Sequence, residues 1–238
     1  MAQLSDTTQH HRILIIPFQP EYYLSDAEQE IMQQTHKTPD EYRAYFRRVL
    51  DLKIEAALST IVPCISLMQD TSKSVRNDLD HYYAKAALKY EFPIASKQNK
   101  ATKNNTEVTS KQIEDQHSAP QYSTIKGDTK FMNSTVPDTS FYKSLLTKYH
   151  ADYLLSINQF EIKTNYKSCI DIANSIYRRE LMIHYSLLDA NGKVVQGNFV
   201  TTYFPSNSNR DTEIAERVFP EIANMLKTSI IDLLKLNN

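Results

Sequence analysis

Glycine is scarce in this chain of 238 residues, since only Gly127, Gly192 and Gly197 occur. A phosphate-binding loop or a dinucleotide fingerprint needs closely spaced glycines that let backbone N–H groups approach phosphate. Neither pattern is present. The sequence therefore predicts no cofactor and favours a non-catalytic protein.

Other features are also missing. No apolar run approaches the ~18 residues of a membrane-spanning helix, so we expect no transmembrane segment. The 27 basic and 28 acidic residues nearly cancel, which leaves no charge excess for binding nucleic acid or anionic lipid. Only two cysteines occur, Cys64 and Cys169. They form one disulfide if the protein is exported, or they remain two buried free thiols.

The clearest pattern that is present predicts a β-hairpin from Arg178 to Phe204. Apolar residues alternate along its first arm with a two-residue period, which places one face in the core. The members of that row are Leu181, Ile183, Tyr185 and Leu187. The second arm is rich in β-branched and aromatic residues. Residues 189–192 between the arms contain Asn and Gly, which accept the positive φ of a short turn.

The first third of the chain predicts one strand followed by helices. Residues 12–18 form a continuous apolar run that is typical of a central strand buried on both faces. Ser25 and Glu28 have the spacing of a capping box and predict a helix that ends near Thr35. Thr38-Pro39-Asp40-Glu41 repeats this device and predicts a helix over residues 39–59.

Residues 61–68 are apolar but contain a proline, so they form an edge strand or a buried loop. Asp70 or Thr71 caps a further helix, which we expect to end near Tyr90. Residues 137–149 predict another helix, and residues 151–163 predict a strand that pairs with the hairpin in an antiparallel meander. The last helix begins at Asp211, and Pro220 should kink it.

These elements predict an α+β fold with a mixed or antiparallel sheet of about four or five strands, a C-terminal meander and helices packed mainly on one face. We expect a single domain over residues 1–238 with a flexible N-terminus over residues 1–11. Residues 96–124 are polar and predict a disordered insertion. The alternative for this insertion is a lid or a partner-binding loop.

The order of elements resembles a group of envelope proteins. The shared features are a strand that ends in Pro17-Phe18, a helix that leads into residues 151–155, and the meander with residues 187–194. Over residues 12–18 and 139–236 the chain resembles the α/β domain of the TolB amino-terminal part, CsgG and LpoB. This resemblance implies a periplasmic or outer-membrane-associated module that binds partners without catalysis. Those lipoproteins begin with a lipidated Cys, which is missing near this N-terminus.

The first residues bear on localisation. Met1 precedes Ala2-Gln3-Leu4-Ser5, which we interpret as an initiator Met placed before the mature end of a secreted protein whose signal peptide was removed. This interpretation predicts a periplasmic or secreted protein. The alternative is a cytoplasmic protein with a frayed N-terminus.

Two groups of residues are candidates for binding a partner. Tyr22, Tyr23 and Asp26 follow the first strand at its carboxyl end, where open α/β sheets place ligand-binding loops. The alternative is that the two tyrosines pack as a hydrophobic staple ahead of the next helix. Arg178 and Arg179 lie at the base of the hairpin and add a second, basic point of contact.

One polar cluster could carry chemistry. Asp78, His81 and Lys85 have helical spacings of three and four residues, which bring them to one face. A zinc site needs three or four ligands, and no such pattern exists, so we predict no metal site. A solvated helix face is the other interpretation. His184 lies in mid-strand and predicts a semi-buried, hydrogen-bonded histidine.

The function that these observations favour is a non-catalytic module of the bacterial cell envelope. It would bind a protein partner during assembly, transport or surface maintenance. One alternative is a small hydrolase that uses helix carboxylates and His81. Another is a self-assembling structural subunit that forms an oligomer through a sheet edge.

Overall fold

A mixed six-stranded sheet forms the centre of the structure, a computed structural model that describes residues 11–93 and 130–235. Its strands are β1 (Ile13–Ile16), β2 (Tyr23–Ser25), β3 (Cys64–Ser66), β6 (Tyr153–Asp171), β7 (Ile176–Leu188) and β8 (Val194–Pro205). Two further strands, β4 (Ala87–Glu91) and β5 (Phe131–Thr135), form a separate antiparallel pair. The helices are α1 (Glu28–Thr35), α2 (Pro39–Leu58), α3 (Lys73–Lys85), α4 (Thr139–Tyr149), α5 (Asp211–Arg217) and α6 (Phe219–Lys235).

The strand order β3-β1-β6-β7-β8 confirms the predicted α+β class with a mixed sheet. β1 pairs in parallel with β3 and β6, whereas β6, β7 and β8 form the predicted antiparallel meander. β2 pairs with residues 160–162 of β6, farther along the edge that β1 occupies. This short strand, with the edge strand β3, raises the count above the four or five strands expected.

Helices cover both faces of the sheet. The first face packs against α1, α2, α5 and α6 through side chains such as Ile13, Ile15 and Leu155. The second face packs against α3 and α4 through Leu14 and Leu154. All four residues of β1 are fully buried, because the strand has a neighbour on each edge and helices on each face. The prediction of a central strand is confirmed.

Local capping rules explain some helix starts but not others. Thr38 and Glu41 form the predicted reciprocal capping box at α2. Ser25 does not cap α1 in that way, because it belongs to β2 and its Oγ accepts from the Ala27 N–H. The capping box predicted for Ser25 and Glu28 was therefore wrong, although the helix does end at Thr35.

The segment around α3 differs most from expectation. The N-cap is Ser72, not Asp70 or Thr71, and the helix ends at Lys85. Residues 87–91, predicted as the end of this helix, form β4 instead. β4 pairs along its whole length with β5, a strand that the sequence did not predict. The predicted helix end near Tyr90 was wrong because pairing with β5, which lies 40–48 residues farther along the chain, extends the backbone there.

The C-terminal helix is broken where predicted. α5 ends at Arg217 and α6 begins at Phe219, so Pro220 is the second residue of the new helix. A proline in that position lacks the N–H of a continuous helix, and its ring clashes with the carbonyl of Glu216. The buried side chains of both segments still face the same core.

β6 and β7 are longer than the sheet around them. β8 pairs with β7 only from Arg178 onward, and β2 pairs with β6 only up to Ile162. The hairpin formed by residues 166–177 therefore projects beyond these neighbours, and we call it the β6–β7 arm. The strand predicted to end at Lys163 in fact continues to Asp171. Of the predicted flexible N-terminus and polar insertion, residues 1–10 and 96–124 lie outside the described residues.

Candidate functional site

A cavity of about 560 Å³ opens at the carboxyl ends of β1 and β3. Residues 19–21 after β1 and residues 67–71 after β3 contribute to its lining, and one face of α3 completes it. We call it the β1–β3 pocket. Its volume is within the range of ligand sites, roughly 300–1,000 Å³. Its position is the edge at which open α/β sheets bind ligands.

Hydrogen bonds from two side chains hold the loop after β1. Arg47 of α2 donates from Nε to the Phe18 carbonyl at 2.6 Å and from an Nη to the Tyr83 hydroxyl at 2.6 Å. Tyr83 of α3 in turn donates to the Pro17 carbonyl at 2.6 Å. Burial raises the pKa of Tyr83, so the hydroxyl keeps the proton that it donates. This wall of the pocket is thus fixed by α2 and α3 together.

A buried carboxyl group holds the other wall. Asp51 is 2% exposed, and its Oδ2 accepts from Ser66 Oγ at 2.6 Å and from Gln69 Nε2 at 2.7 Å. Burial raises its pKa to about 6, although both hydrogen bonds act to lower it. Its Oδ1 has no hydrogen-bond partner among the described residues. Asp51 lies one helical turn after Arg47, so α2 anchors both walls.

The surface of the pocket combines an apolar floor with charges of both signs. Pro20 and Met68 supply apolar surface beside the buried Leu67 and Leu79. The charged residues at the opening are Glu21, Asp70, Arg76 and Asp80. No described residue forms an ion pair with any of these four.

The three residues predicted to bind a partner after β1 do not line this pocket. Tyr23 is 5% exposed and stacks on Phe160 with ring centroids 5.0 Å apart. The prediction that Tyr23 contacts a partner was wrong, because β2 directs this side chain into the core. The carboxylate of Asp26 accepts from the Thr164 N–H at 2.7 Å and so joins β2 to β6. Tyr22 is partly exposed.

The two arginines at the hairpin base have different environments. Arg179 is 2% exposed and donates to Asn209 Oδ1 at 2.7 Å and to Thr164 Oγ1 at 3.2 Å. The prediction that Arg179 contacts a partner was wrong, because its guanidinium is used inside the fold. Arg178 is exposed, and its guanidinium lies 5.2 Å from the ring centroid of Tyr203. Arg178 therefore remains available at the surface.

The polar cluster on α3 joins two helices. Asp78 accepts from Lys148 Nζ and from the Tyr149 hydroxyl, each at 2.5 Å. Lys85 forms an ion pair with Asp138, the N-cap of α4, at 2.6 Å. His81 is exposed. The structure thus uses Asp78 and Lys85 to attach α3 to α4.

A buried polar layer lies between β5 and the second face of the sheet. The Met132 N–H donates to His184 Nδ1 at 2.8 Å, and the Ser134 N–H donates to Ser186 Oγ at 2.9 Å. Asn158 donates to the Met132 carbonyl at 2.8 Å. The predicted hydrogen bond of His184 is thus confirmed, but the side chain is 2% exposed and fully buried, not semi-buried as predicted. Burial lowers its pKa to about 4, so Nδ1 remains an acceptor near neutral pH.

The layer continues toward the β6–β7 arm. Tyr90 donates to Gln159 Oε1 at 2.8 Å, and Gln159 donates to the buried Glu161. Lys163 forms an ion pair with the same carboxylate. Sequence reasoning missed this layer. The signal was the polar series Ser156, Asn158, Gln159 and Glu161 within an otherwise apolar strand.

The β6–β7 arm exposes large apolar side chains. Ile172 is 87% exposed, Tyr166 is 67% exposed and Ile170 is 55% exposed. Cys169 lies in the same arm and is also exposed. Both Cys169 and Cys64 are free, and Cys169 is exposed, so the structure has neither the disulfide nor the pair of buried thiols that were the two alternatives. Burial raises the pKa of the Cys64 thiol to about 12, which keeps it protonated and unreactive.

Comparison with known protein families and with curated proteins gave no match. Weakly similar solved structures include a candidate lipoprotein from Caulobacter crescentus CB15, with 17% identity and a TM-score of 0.26 over 37% of this chain and 71% of that chain. The PelC dodecamer from Paraburkholderia phytofirmans has 10% identity and a TM-score of 0.34 over 90% of this chain and 87% of PelC. A dodecamer of a PelC variant from the same organism has 10% identity and a TM-score of 0.33 over 92% of this chain and 88% of PelC.

Likenesses this weak assign neither a family nor a function to the chain. The predicted resemblance to TolB, CsgG and LpoB therefore stays a prediction. Within the described residues, no helix is long and apolar enough to cross a membrane. No group of three metal-binding side chains lies close together there either.

Proposed function

We propose that this protein is a non-catalytic module of the bacterial cell envelope that binds a protein partner through the β6–β7 arm. The observation that supports this proposal is the exposure of Tyr166, Ile170 and Ile172 on a single projecting hairpin. Exposed apolar groups that lie together mark interaction sites more often than single exposed residues do. No strand among the described residues pairs with the arm beyond β6 and β7 themselves.

Covering the apolar side chains of the arm with a partner lowers the free energy of the system. An isolated two-stranded hairpin is only marginally stable in water. Complete burial of one isoleucine side chain contributes roughly 1.5–3 kcal/mol. Burial of Ile170 and Ile172 thus contributes substantially to the free energy of binding, although the cost of ordering the partner reduces the net gain.

The arm is also prepared for binding by its own hydrogen bonds. At its tip, the Asp171 carboxylate accepts from the Asn174 N–H and from the Asn174 side chain, which lowers the pKa of Asp171. At its base, Ser206 and Tyr177 exchange hydrogen bonds of 2.9 and 3.0 Å. An arm that is ordered before binding loses less conformational entropy when a partner arrives. The exposed Arg178 at this base adds a positive charge to the contact.

The cell-envelope part of the proposal comes from the resemblance to TolB, CsgG and LpoB. Support comes from the order of elements, with β1 at the centre and the meander at the C-terminal side. Cell fractionation of the tagged protein in its native host tests this part. We expect it in the periplasmic or membrane-associated fraction, whereas recovery with the cytoplasmic marker would contradict it.

Paired surface variants test the role of the arm. We expect the double variant Ile170→Ser and Ile172→Ser to lower recovery of a discrete co-purifying protein at least tenfold, which corresponds to about 1.4 kcal/mol. Leu52→Ser is the matched control, because Leu52 is also an exposed apolar residue (42%) but lies on α2. Equal recovery with the arm variant and the control would contradict the proposal.

A further inference from the structure

We propose that the β1–β3 pocket binds a short zwitterionic peptide, with an apolar side chain on its floor and one charge of each sign at its opening. This site is separate from the β6–β7 arm and does not depend on the function proposed for the arm. The inference combines three properties of the pocket, namely its fixed walls, its apolar floor and its unpaired charges.

The walls are fixed by buried polar contacts. Arg47 and Tyr83 bind the Pro17 and Phe18 carbonyls on one side. Asp51 binds Ser66 and the Gln69 side chain on the other. Ligand sites are usually largely formed before the ligand arrives, because ordering a loop on binding costs affinity. These contacts provide such a preformed site.

The apolar floor of the pocket favours a ligand that carries an apolar group. Pro20 is exposed and Met68 is partly exposed, and both line the pocket beside the buried Leu67 and Leu79. A small aliphatic side chain placed over them loses contact with water, which is favourable at about 25 cal/mol per Å² of apolar surface. The ligand therefore needs an apolar part as well as charges.

The charged residues at the opening favour a ligand that carries charges of both signs. Glu21, Asp70 and Asp80 present carboxylates, and Arg76 presents a guanidinium. None of them has an ion-pair partner among the described residues. A ligand with only negative charge would meet three carboxylates, and a ligand with only positive charge would meet Arg76. A peptide that carries an ammonium and a carboxylate around an aliphatic side chain can place its ammonium beside these carboxylates and its carboxylate beside Arg76.

Nuclear magnetic resonance titration of the full chain tests this proposal. The probe is the tripeptide Lys-Leu-Glu with an acetylated N-terminus and an amidated C-terminus, so that it carries one charge of each sign. N-acetyl-leucine amide is the uncharged probe with the same aliphatic side chain. We expect the tripeptide to shift the backbone amides of residues 67–71 and 76–83 and to bind at least tenfold more tightly than the uncharged probe. Equal affinity for the two probes, or amide shifts only elsewhere in the chain, would overturn the proposal. So would the absence of shifts at a peptide concentration of about 10 mM, ten times a millimolar Kd.

Charge reversal at the opening sharpens the test. We expect Arg76→Glu and Asp80→Lys each to weaken the tripeptide at least tenfold, because each removes a complementary charge and adds a repulsive one. Both side chains are exposed, so the spectra outside the pocket should stay unchanged. Arg48→Glu is the matched control, since Arg48 is exposed on α2 and does not line the pocket. An equal loss with the control would overturn the proposal.

Two further measurements identify the source of the peptide and test whether the β6–β7 arm contributes to its binding. The same three residues inserted into a surface loop of a carrier protein should bind if the pocket recognises a segment of another protein. Binding of the free tripeptide alone indicates a free peptide, and either result supports the proposed chemistry. Ile172→Ser should leave the tripeptide affinity unchanged, so that failure of the partner-binding proposal is distinguishable from failure of this one.

Discussion

The two faces of the central sheet are built by different chemistry. On the first face, Phe46, Phe160 and Phe219 form an aromatic cluster with ring centroids 5.2–6.0 Å apart. On the second face, the apolar contacts of Leu154 and Leu188 give way to the polar layer beneath β5. Apolar burial is strong but has no direction, whereas hydrogen bonds have strict geometry. The first face thus supplies stability, and the second fixes the position of one strand pair.

A single irregularity allows both faces to coexist. The pairing of β6 with β7 shifts register between Ile157 and Gln159. Ile157 and Phe160 both face the aromatic core, while Asn158 and Gln159 make their hydrogen bonds with the β4–β5 side. A regular strand would alternate and send one of the two polar side chains into the core.

The largest expected effect is on the first face. Phe46→Ala should lower the free energy of unfolding by about 3–5 kcal/mol, because this fully buried ring contacts five other aromatic residues and its loss leaves a cavity. Urea unfolding measures the change. Leu52→Ala on the same helix is the control and should cost less than about 1 kcal/mol. Similar losses for the two variants would show that the aromatic cluster is not the main source of stability.

The polar layer predicts a dependence on pH. The pKa of His184 is lowered by burial from 6.5 to about 4, so its contribution is complete above pH 6.5 and is lost as the pH falls toward 4. Glu161 and Lys163 are charged neighbours with opposite effects on this pKa, and Tyr90 packs against the ring. The stability advantage of the native chain over His184→Asn should shrink by about 3 kcal/mol between pH 7 and pH 4. A constant advantage would contradict this assignment.

Close packing between β5 and β8 gives a smaller expected effect. A Cβ atom on Gly197 would lie 2.4 Å from Phe131 Cζ, so Gly197→Ala forces the ring or β5 to move. We expect a loss of about 1–3 kcal/mol in urea unfolding. Adding Phe131→Leu should recover part of it, and Asn198→Ala, at a partly exposed neighbour, is the control. Additive losses for Gly197→Ala and Phe131→Leu would count against this contact.

Asp51 should show the opposite dependence on pH. Burial raises its pKa from 3.8 to about 6, so its contribution is complete below pH 3.8 and is lost as the pH rises through 6. Asp51→Asn keeps an oxygen acceptor for Ser66 and Gln69 without the buried charge. Relative to the native chain, Asp51→Asn should raise the free energy of unfolding by about 2 kcal/mol more at pH 8 than at pH 4. A loss at pH 8 would mean that the ionised carboxylate stabilises the fold.

Local patterns were enough to predict much of the first face. The row from Leu181 to Leu187, the capping box at Thr38 and the break at Pro220 each depend on a few neighbouring residues, and each is confirmed. β4 was missed because helical periodicity continues through Leu88, while the pairing with β5 that overrides it comes from a distant segment.

The candidate sites were predicted only in part. The loop after β1 was predicted to bind a protein partner through Tyr22, Tyr23 and Asp26, and none of these three residues lines the pocket that the structure has there. Its other walls come from α2 and α3, whose approach no local pattern shows. The β6–β7 arm was missed because the apolar alternation of β6 stops near Lys163, although backbone pairing with β7 continues to Asp171.

The most direct test of the proposed function is photo-crosslinking from the tip of the arm in native cells. A photoreactive amino acid at Ile172 should give one discrete adduct with another protein. The same group at Lys143, an exposed residue of α4, should give none. An adduct of twice the chain mass would instead support the self-assembling alternative. No adduct at Ile172, or the same adducts at both positions, would contradict the role of the β6–β7 arm.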